Sequence, residues 1–211
     1  MDLRLIVITD HELARPRAVL DIVRIALEAG APAIQLRDKA AGAGELLRQA
    51  GELLPMVRAH GARLFINDRV DVALMAGADG VHLGPDDLPV REARRIAPGL
   101  IIGYSTDEPA LALTAARDGA DYIGCGAVFG TTSKADAASE RIGTARLDEV
   151  AGAVSIPVVA IGGISVGNVA QIAATRAAGI AVIGGVMAAA DPGAATRALL
   201  DAMTRGRRGG P

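Results

Sequence analysis

Short apolar runs recur along the chain at a steady beat: LRLIVIT (3–9), AIQL (33–36), RLFIN (63–67), GVHL (80–83), LIIGYS (100–105), YIGCG (122–126), VVAIGG (158–163) and IAVIGG (180–185). Most are apolar at alternate and intervening positions alike. That is the pattern of parallel strands covered on both faces. Between them the apolar period lengthens to that of a helix. RAVLDIVRIALEAG (17–30) closes on Gly30 and ELLRQAGELLPMVRAHG (45–61) on Gly61, where a helix-ending glycine belongs. Pro55 predicts a kink or break in the second of these. ALALTAARDGAD and NVAQIAATRAAG predict helices that end in the same way, at Gly119 and Gly179. Three of the joins use similar words, AGAP (29–32), AGAD (76–79) and DGAD (118–121).

Eight strands alternating with about eight helices predict the α/β class and a single (β/α)8 TIM barrel. A doubly wound open sheet is the alternative, but no G-x-G-x-x-G follows the first strand. The barrel is expected over residues 1–204. The basic, glycine-rich RGRRGGP (205–211) is expected to fray.

Composition narrows the picture. Apolar residues make up 51% of the 211 positions and aromatics 2%, so Ala, Val, Ile and Leu must fill the core. Basic and acidic residues, 22 against 24, nearly balance, which argues against a non-specific nucleic-acid binder. The single cysteine, Cys125, cannot form an internal disulfide and suits a reducing compartment. The apolar stretch in MDLRLIVITDHE is too short for a signal segment, and no run approaches the ~20 residues of a membrane span. A cytoplasmic protein without membrane or nucleic-acid partners is expected; a homo-oligomer is compatible with this reading.

Active sites of such barrels lie at the C-terminal ends of the strands. Thr9 and Asp10 follow strand 1, and QLRDK (35–39) spans the end of strand 2. Asn67 and Asp68 end strand 3, Asp86 and Asp87 follow strand 4, and Ser105 and Thr106 end strand 5. FGTTSKAD (129–136) follows strand 6, and Gly-Gly pairs end strands 7 and 8. Two carboxylates from neighbouring strands, Asp68 and Asp87, suit Mg²⁺, which is commonly held by one or two carboxylates, waters and substrate phosphates. Arg37, Lys39 and Lys134 are cations at the same rim, suited to phosphate oxygens. Cations and carboxylates together make sense around a polyphosphate with its metal. Gly162, Gly163, Gly184 and Gly185 offer bare backbone N–H groups for a second phosphate.

Each feature also has an everyday structural reading. Asp68 could cap a helix, Asp86 could serve a turn, and Ser105 and Thr106 could cap the next helix. Asp71 fits an outer, solvated face, and Cys125 fits the core. His11, His60 and His82 have no ligand-like spacing for zinc. His82 could face the barrel interior, with no role that the sequence defines. Placement of most of these groups at one rim favours the site.

QLRDK (35–39), FINDRVDVAL (65–74), ADGVHLGPDDLP (78–89), GYST (103–106), ADYIGCGAVFGTTSKAD (120–136) and PVVAIGGI (157–164) occur in one order over nearly the whole chain. In this the sequence resembles the thiamine-phosphate synthase family. The resemblance implies that a pyrimidine methyl diphosphate is joined to a thiazole phosphate with release of diphosphate. By motif, the stretch from Gln35 through Leu36, Arg37 and Asp38 to Lys39, together with Asn67, Ser105 and Lys134, would bind the pyrimidine diphosphate. Arg37, Lys39, Ser105 and Lys134 would act on its departure. Asp68 and Asp87 would hold Mg²⁺. Thr131, Thr132, Ser133, Gly163, Ile183 and Gly184 would hold the thiazole phosphate. The loop 127–143 could act as a lid.

Three positions depart from the family's usual pattern. Ala127 replaces a proline, Asp107 stands where histidine is common, and Gly184 lacks a hydroxyl. A related thiazole tautomerase is the alternative enzyme, and a non-catalytic phosphate-binding paralogue is the alternative of another class. Asp68 and Asp87, with no histidine in Cys125-Gly126-Ala127, argue against the first, and the intact Arg37, Lys39, Asp68, Asp87 and Lys134 set argues against the second.

Overall fold

The structure, a computed structural model, describes residues 1–130 and 141–208. Eight parallel strands close into a barrel in chain order. They are β1 (Leu5–Ile8), β2 (Ala33–Leu36), β3 (Arg63–Asn67), β4 (Gly80–Leu83), β5 (Ile101–Ser105), β6 (Tyr122–Cys125), β7 (Val158–Ile161) and β8 (Gly179–Val182). β1 closes the cylinder by pairing with β2 (Ile8 beside Gln35) and with β8 (Leu5 beside Ile180). Around it run α1 (His11–Ala14), α2 (Val19–Glu28), α3 (Ala43–Ala59), α4 (Val70–Ala76), α5 (Val90–Ile96), α6 (Pro109–Asp118), α7 (Gly143–Ala153), α8 (Val169–Ala173), α9 (Gly184–Met187) and α10 (Pro192–Arg208).

Side chains alternate across each strand, so one set lines the lumen and the other meets the helices. Ile6, Ile8, Gln35, His82, Tyr122, Val159, Ile161 and Ala181 face the lumen. Leu5, Val7, Ile34, Leu36, Leu64, Ile66, Val81, Leu83, Ile123 and Ile180, the intervening residues, are buried between strands and helices. Apolarity on both faces therefore marks two cores, one inside the barrel and one around it.

The repeated joins serve the end of the barrel away from the rim. Asp79 accepts the Leu64 N–H at 2.9 Å and pairs with Arg63, while Asp121 accepts the Ile102 N–H at 2.8 Å and pairs with Arg94. Each aspartate thus ties a join to the start of the neighbouring strand, a stability role typical of this face. Gly30, Gly61, Gly77 and Gly119 end helices with positive φ, as the pattern predicts at Gly30, Gly61 and Gly119.

Two expectations are corrected. α3 runs unbroken through Pro55, which is exposed together with Gly51, so the carbonyl left unpaired by the missing N–H faces water. α8 stops at Ala173 instead of reaching Gly179, which begins β8. There Thr175 takes over: its hydroxyl donates to the Ile172 carbonyl and accepts the Ala177 N–H, turning the chain early.

Candidate active site

A cavity of about 670 Å³ opens at the C-terminal ends of the strands. Arg37 and Lys39 reach it from beyond β2, Asn67 and Asp68 from the end of β3, Asp86 and Asp87 from beyond β4, and Ser105 from the end of β5. Ile6, Ile8, Val159, Ile161, Ala181 and Ile183 supply apolar walls. Polar groups thus gather on the β2–β5 side and apolar groups on the β7–β1 side.

Each charged group is held by its own local structure. Thr9, fully buried, clamps the backbone of Arg37: its hydroxyl accepts the Arg37 N–H at 2.8 Å and donates to the Arg37 carbonyl at 3.0 Å. The Arg37 guanidinium, largely buried, meets Asp10 at 3.5 Å. Asp10 divides its carboxylate between two tasks. Oδ1 caps α1 through the Glu12 and Leu13 N–H groups, while Oδ2 faces Arg37. The Lys39 ammonium lies 3.5 Å from Asp68.

Asp68 has a φ of 64°, and it is the only non-glycine residue with positive φ among the described residues. Aspartate tolerates this region better than most residues, at a cost that functional sites commonly carry. The Asp68 N–H donates to the His82 carbonyl at 2.8 Å, which locks the turn to β4. Across from it, Asp87 accepts the Gly84 N–H at 2.7 Å. Burial first, and then the adjacent Asp87 carboxyl, push the Asp68 carboxyl above its ordinary range; Lys39 opposes the shift. Two carboxyl groups placed this close together suit a shared cation. Their hard oxygens, with room for waters and phosphate oxygens, fit Mg²⁺. Among the described residues no set of three or more Asp, Glu, His or Cys gathers, so a metal held by Asp68 and Asp87 would take its remaining ligands from outside oxygens.

Inside the lumen, His82, Gly103 and Tyr122 stand in one row across β4, β5 and β6. Any Cβ at Gly103 would collide with the Tyr122 ring, so this glycine lets the two rings meet. The Tyr122 hydroxyl lies 2.9 Å from Nδ1 of His82, and Nε2 of His82 lies 2.8 Å from the Ser105 hydroxyl. Phe65 packs edge-on against Tyr122 at 5.7 Å between ring centres.

On the far side of the mouth, Gly162 and Gly163 have φ of 99° and 64°. A Cβ at Gly162 would stand 2.5 Å from the Ala127 Cα, and one at Gly163 2.5 Å from the Gly130 carbonyl oxygen. Glycine is required there by backbone conformation and by close approach together. The other glycine pair, Gly184 and Gly185, starts α9.

Most of the expected residues therefore converge, with exceptions. Leu36 is buried on the helix side of β2 and does not line the cavity, because it alternates with Gln35 and Arg37. Asp38 folds back instead: it accepts the Ala40 and Ala41 N–H groups and the Gln49 amide and meets His11 at 3.4 Å. Gly163 and Gly184 lie outside the cavity lining, whereas Ile183 belongs to it. Thr131, Thr132, Ser133 and Lys134 lie outside the described residues. Asp86, expected in a turn, is exposed and also lines the cavity mouth. Cys125 is a core residue; burial chiefly pushes its thiol up to about 12, away from nucleophilic use. Asp10 and the His82–Tyr122 pair were not assigned functions from sequence. A ring and a glycine inside otherwise aliphatic strands are the signal for the pair.

A family model described as thiamine monophosphate synthase matches residues 5–186. The thiamine-phosphate synthase of Roseiflexus castenholzii is 51% identical over 196 residues, covering 92% of this chain and 86% of that protein. The thiamine-phosphate synthase of Pyrococcus abyssi is 48% identical over 197 residues, covering 93% of each. The solved structure of thiamine phosphate pyrophosphorylase from Pyrococcus furiosus matches with a TM-score of 0.89 at 44% identity over 98% of both chains. A 3-hexulose-6-phosphate synthase, at 19% identity and a TM-score of 0.68 over 95% of this chain and 100% of that one, shares the fold alone. With this match running from β1 to α9, the chain belongs to the thiamine monophosphate synthase family.

Proposed function

We propose that the cavity joins a pyrimidine methyl diphosphate to a thiazole phosphate and releases diphosphate, by a dissociative substitution that Mg²⁺ assists. The product is thiamine phosphate, and the activity is that of a transferase of thiamine biosynthesis. One juxtaposition carries the assignment: Arg37, Lys39, Asp68 and Asp87, from three successive strand ends, line the same cavity.

The pyrimidine diphosphate is held by Gln35, Arg37, Lys39, Asn67 and Ser105, with Lys134 added from the segment after β6. Asp68 and Asp87 hold Mg²⁺, which when bound offsets the charge of the diphosphate. The carbon–oxygen bond of the pyrimidine methylene breaks with its electron pair leaving on diphosphate. The thiazole nitrogen then forms the new carbon–nitrogen bond with the electron-poor methylene. No covalent protein intermediate is needed. Arg37 and Lys39 stabilise the growing negative charge on the leaving group, from positions set before the reaction begins. Thr9 and Asp10 keep Arg37 in place. Ile8, Val159, Ile161 and Ala181 keep water from the cationic carbon. Thr131, Thr132, Ser133, Gly163, Ile183 and Gly184 hold the thiazole phosphate and orient its nitrogen. A free, buried thiol suits a reducing compartment, and we place the reaction in the cytoplasm. Among the described residues no helix is long and apolar enough to cross a membrane.

The test is to incubate the purified protein with both substrates, with and without Mg²⁺, and to quantify thiamine phosphate and diphosphate. Equal amounts of both products, formed only with the metal, are expected. Absence of coupling under every condition would refute the assignment.

A further inference from the structure

Resting on the function proposed above, one question concerns the buried row behind the polar wall: why does a phenol sit at its end? Tyr122 is fully buried between Phe65 and His82, and burial pushes its hydroxyl up, so it keeps its proton. Among the described residues, the hydrogen-bond partner of that hydroxyl is Nδ1 of His82 at 2.9 Å. A buried O–H without an acceptor is costly, so the phenol donates to Nδ1. Nδ1 then carries no proton, and the imidazole is neutral with its hydrogen on Nε2. Nε2 lies 2.8 Å from the Ser105 hydroxyl, and it must be the donor. The Ser105 oxygen therefore accepts from inside the wall, and its own hydrogen is left for the cavity that Ser105 lines.

We propose that Tyr122 is a positioning residue that sets the His82 tautomer and thereby makes the Ser105 hydroxyl an obligate donor toward the leaving diphosphate. The surrounding glycines fit this use. Gly103 makes room for the Tyr122 ring, and a Cβ at Gly124 would stand 2.9 Å from Cε1 of His82. The lumen at this level is thus built around two rings and their hydrogen bonds. With the opposite tautomer, Ser105 would donate inward and present only lone pairs to an anionic oxygen.

The decisive measurement leaves Tyr122, His82 and Ser105 unaltered. The chain has three histidines, and His11 and His60 are exposed, so substituting each by glutamine assigns the ¹⁵N signals of His82 by elimination. The expected pattern for His82 is an unprotonated Nδ1 and a protonated Nε2. A protonated Nδ1, alone or as part of an imidazolium, would overturn the relay. Tyr122→Phe then removes the donor and keeps the ring. His82 should shift toward the Nδ1–H form, and kcat should fall about tenfold, the loss of one well-placed hydrogen bond, with KM for the pyrimidine diphosphate changing less. An unchanged kcat with the tautomer retained would also sink the proposal. Because the tautomer is read on the protein alone, a wrong substrate assignment would leave that result standing. Conversely, a wrong tautomer with coupling intact would refute the relay and spare the function.

Discussion

The two sides of the barrel mouth are built from different materials. Along β2 to β4 the site consists of charged side chains, each fixed by a nearby turn: Arg37 by Thr9, Asp68 by the His82 carbonyl, Asp87 by Gly84. Along β7 and β8 the cavity wall is apolar, formed by Val159, Ile161, Ala181 and Ile183, and just outside that lining Gly162 and Gly163 take conformations other residues avoid and Gly184 opens α9. A diphosphate with a metal needs full charges of both signs, which only side chains supply. A single phosphate can be met by N–H groups, which need close approach more than charge. The first side should therefore fail by loss of charge, and the second by gain of bulk.

The largest effect belongs to the paired carboxylates. Asp68→Asn combined with Asp87→Asn should lower kcat/KM by at least about a thousandfold, about 4 kcal/mol of transition-state stabilisation, in steady-state assays at saturating Mg²⁺. Stability should move the other way. The folded-state carboxyl of Asp68 sits above its unfolded value. Its favourable contribution is therefore present below the unfolded carboxylate range and lost as pH rises through the raised value. At neutral pH, with chelator present, the ionised Asp68 carboxylate opposes folding. Asp68→Asn alone should then raise Tm, and the gain should shrink as pH falls below the carboxylate range. Asparagine also accepts the left-handed backbone at this position, so the substitution isolates charge. A fall in Tm at neutral pH would mean that Asp68 is structural.

On the opposite side, Gly162→Ala tests bulk. The new Cβ meets the Ala127 Cα at 2.5 Å on a backbone with φ of 99°. Overpacking and strain together should cost about 3 kcal/mol, read as roughly a 10 °C fall in Tm. The surviving folded protein should show a raised KM for the thiazole phosphate and a nearly unchanged KM for the pyrimidine diphosphate. Equal damage to both constants would erase the distinction between the two sides.

The same contrast decides what could be read from the chain. AIQL, RLFIN and GVHL were legible as strands to the residue because burial on both faces leaves an unbroken apolar word. The charges just beyond them were legible because the fold places strand ends at the site whatever the loops do. Three-dimensional pairing was not. Leu36 and Asp38 sit inside the QLRDK word, yet strand alternation sends one to the core and a turn claims the other. His82 and Tyr122 are 40 positions apart and meet only through the register of β4, β5 and β6 around Gly103. The end of α8 depended on one threonine side chain competing with the helix. Local words state which residues are available; register and turn geometry choose among them.

The smallest effect offers the finest discrimination. Gly184 differs from Gly162 although both were read as members of similar pairs. It has no positive φ, and a Cβ there would find only Leu13 Cδ1, at 3.8 Å. Gly184→Ser should fold normally, with stability within about 0.5 kcal/mol of the parent, since helical glycine is itself unfavourable. Its N–H is kept and a hydroxyl is added, so KM for the thiazole phosphate should change by no more than about threefold, and downward. Gly185→Ala is the control: its Cβ would stand 3.0 Å from the Ile164 carbonyl oxygen, and it should cost more stability than the serine at the neighbouring position, although serine is one heavy atom larger than alanine. If Gly184→Ser instead abolished coupling, the phosphate would need space at that position, and the backbone of α9 would be pressed against the ligand more closely than its N–H groups alone require.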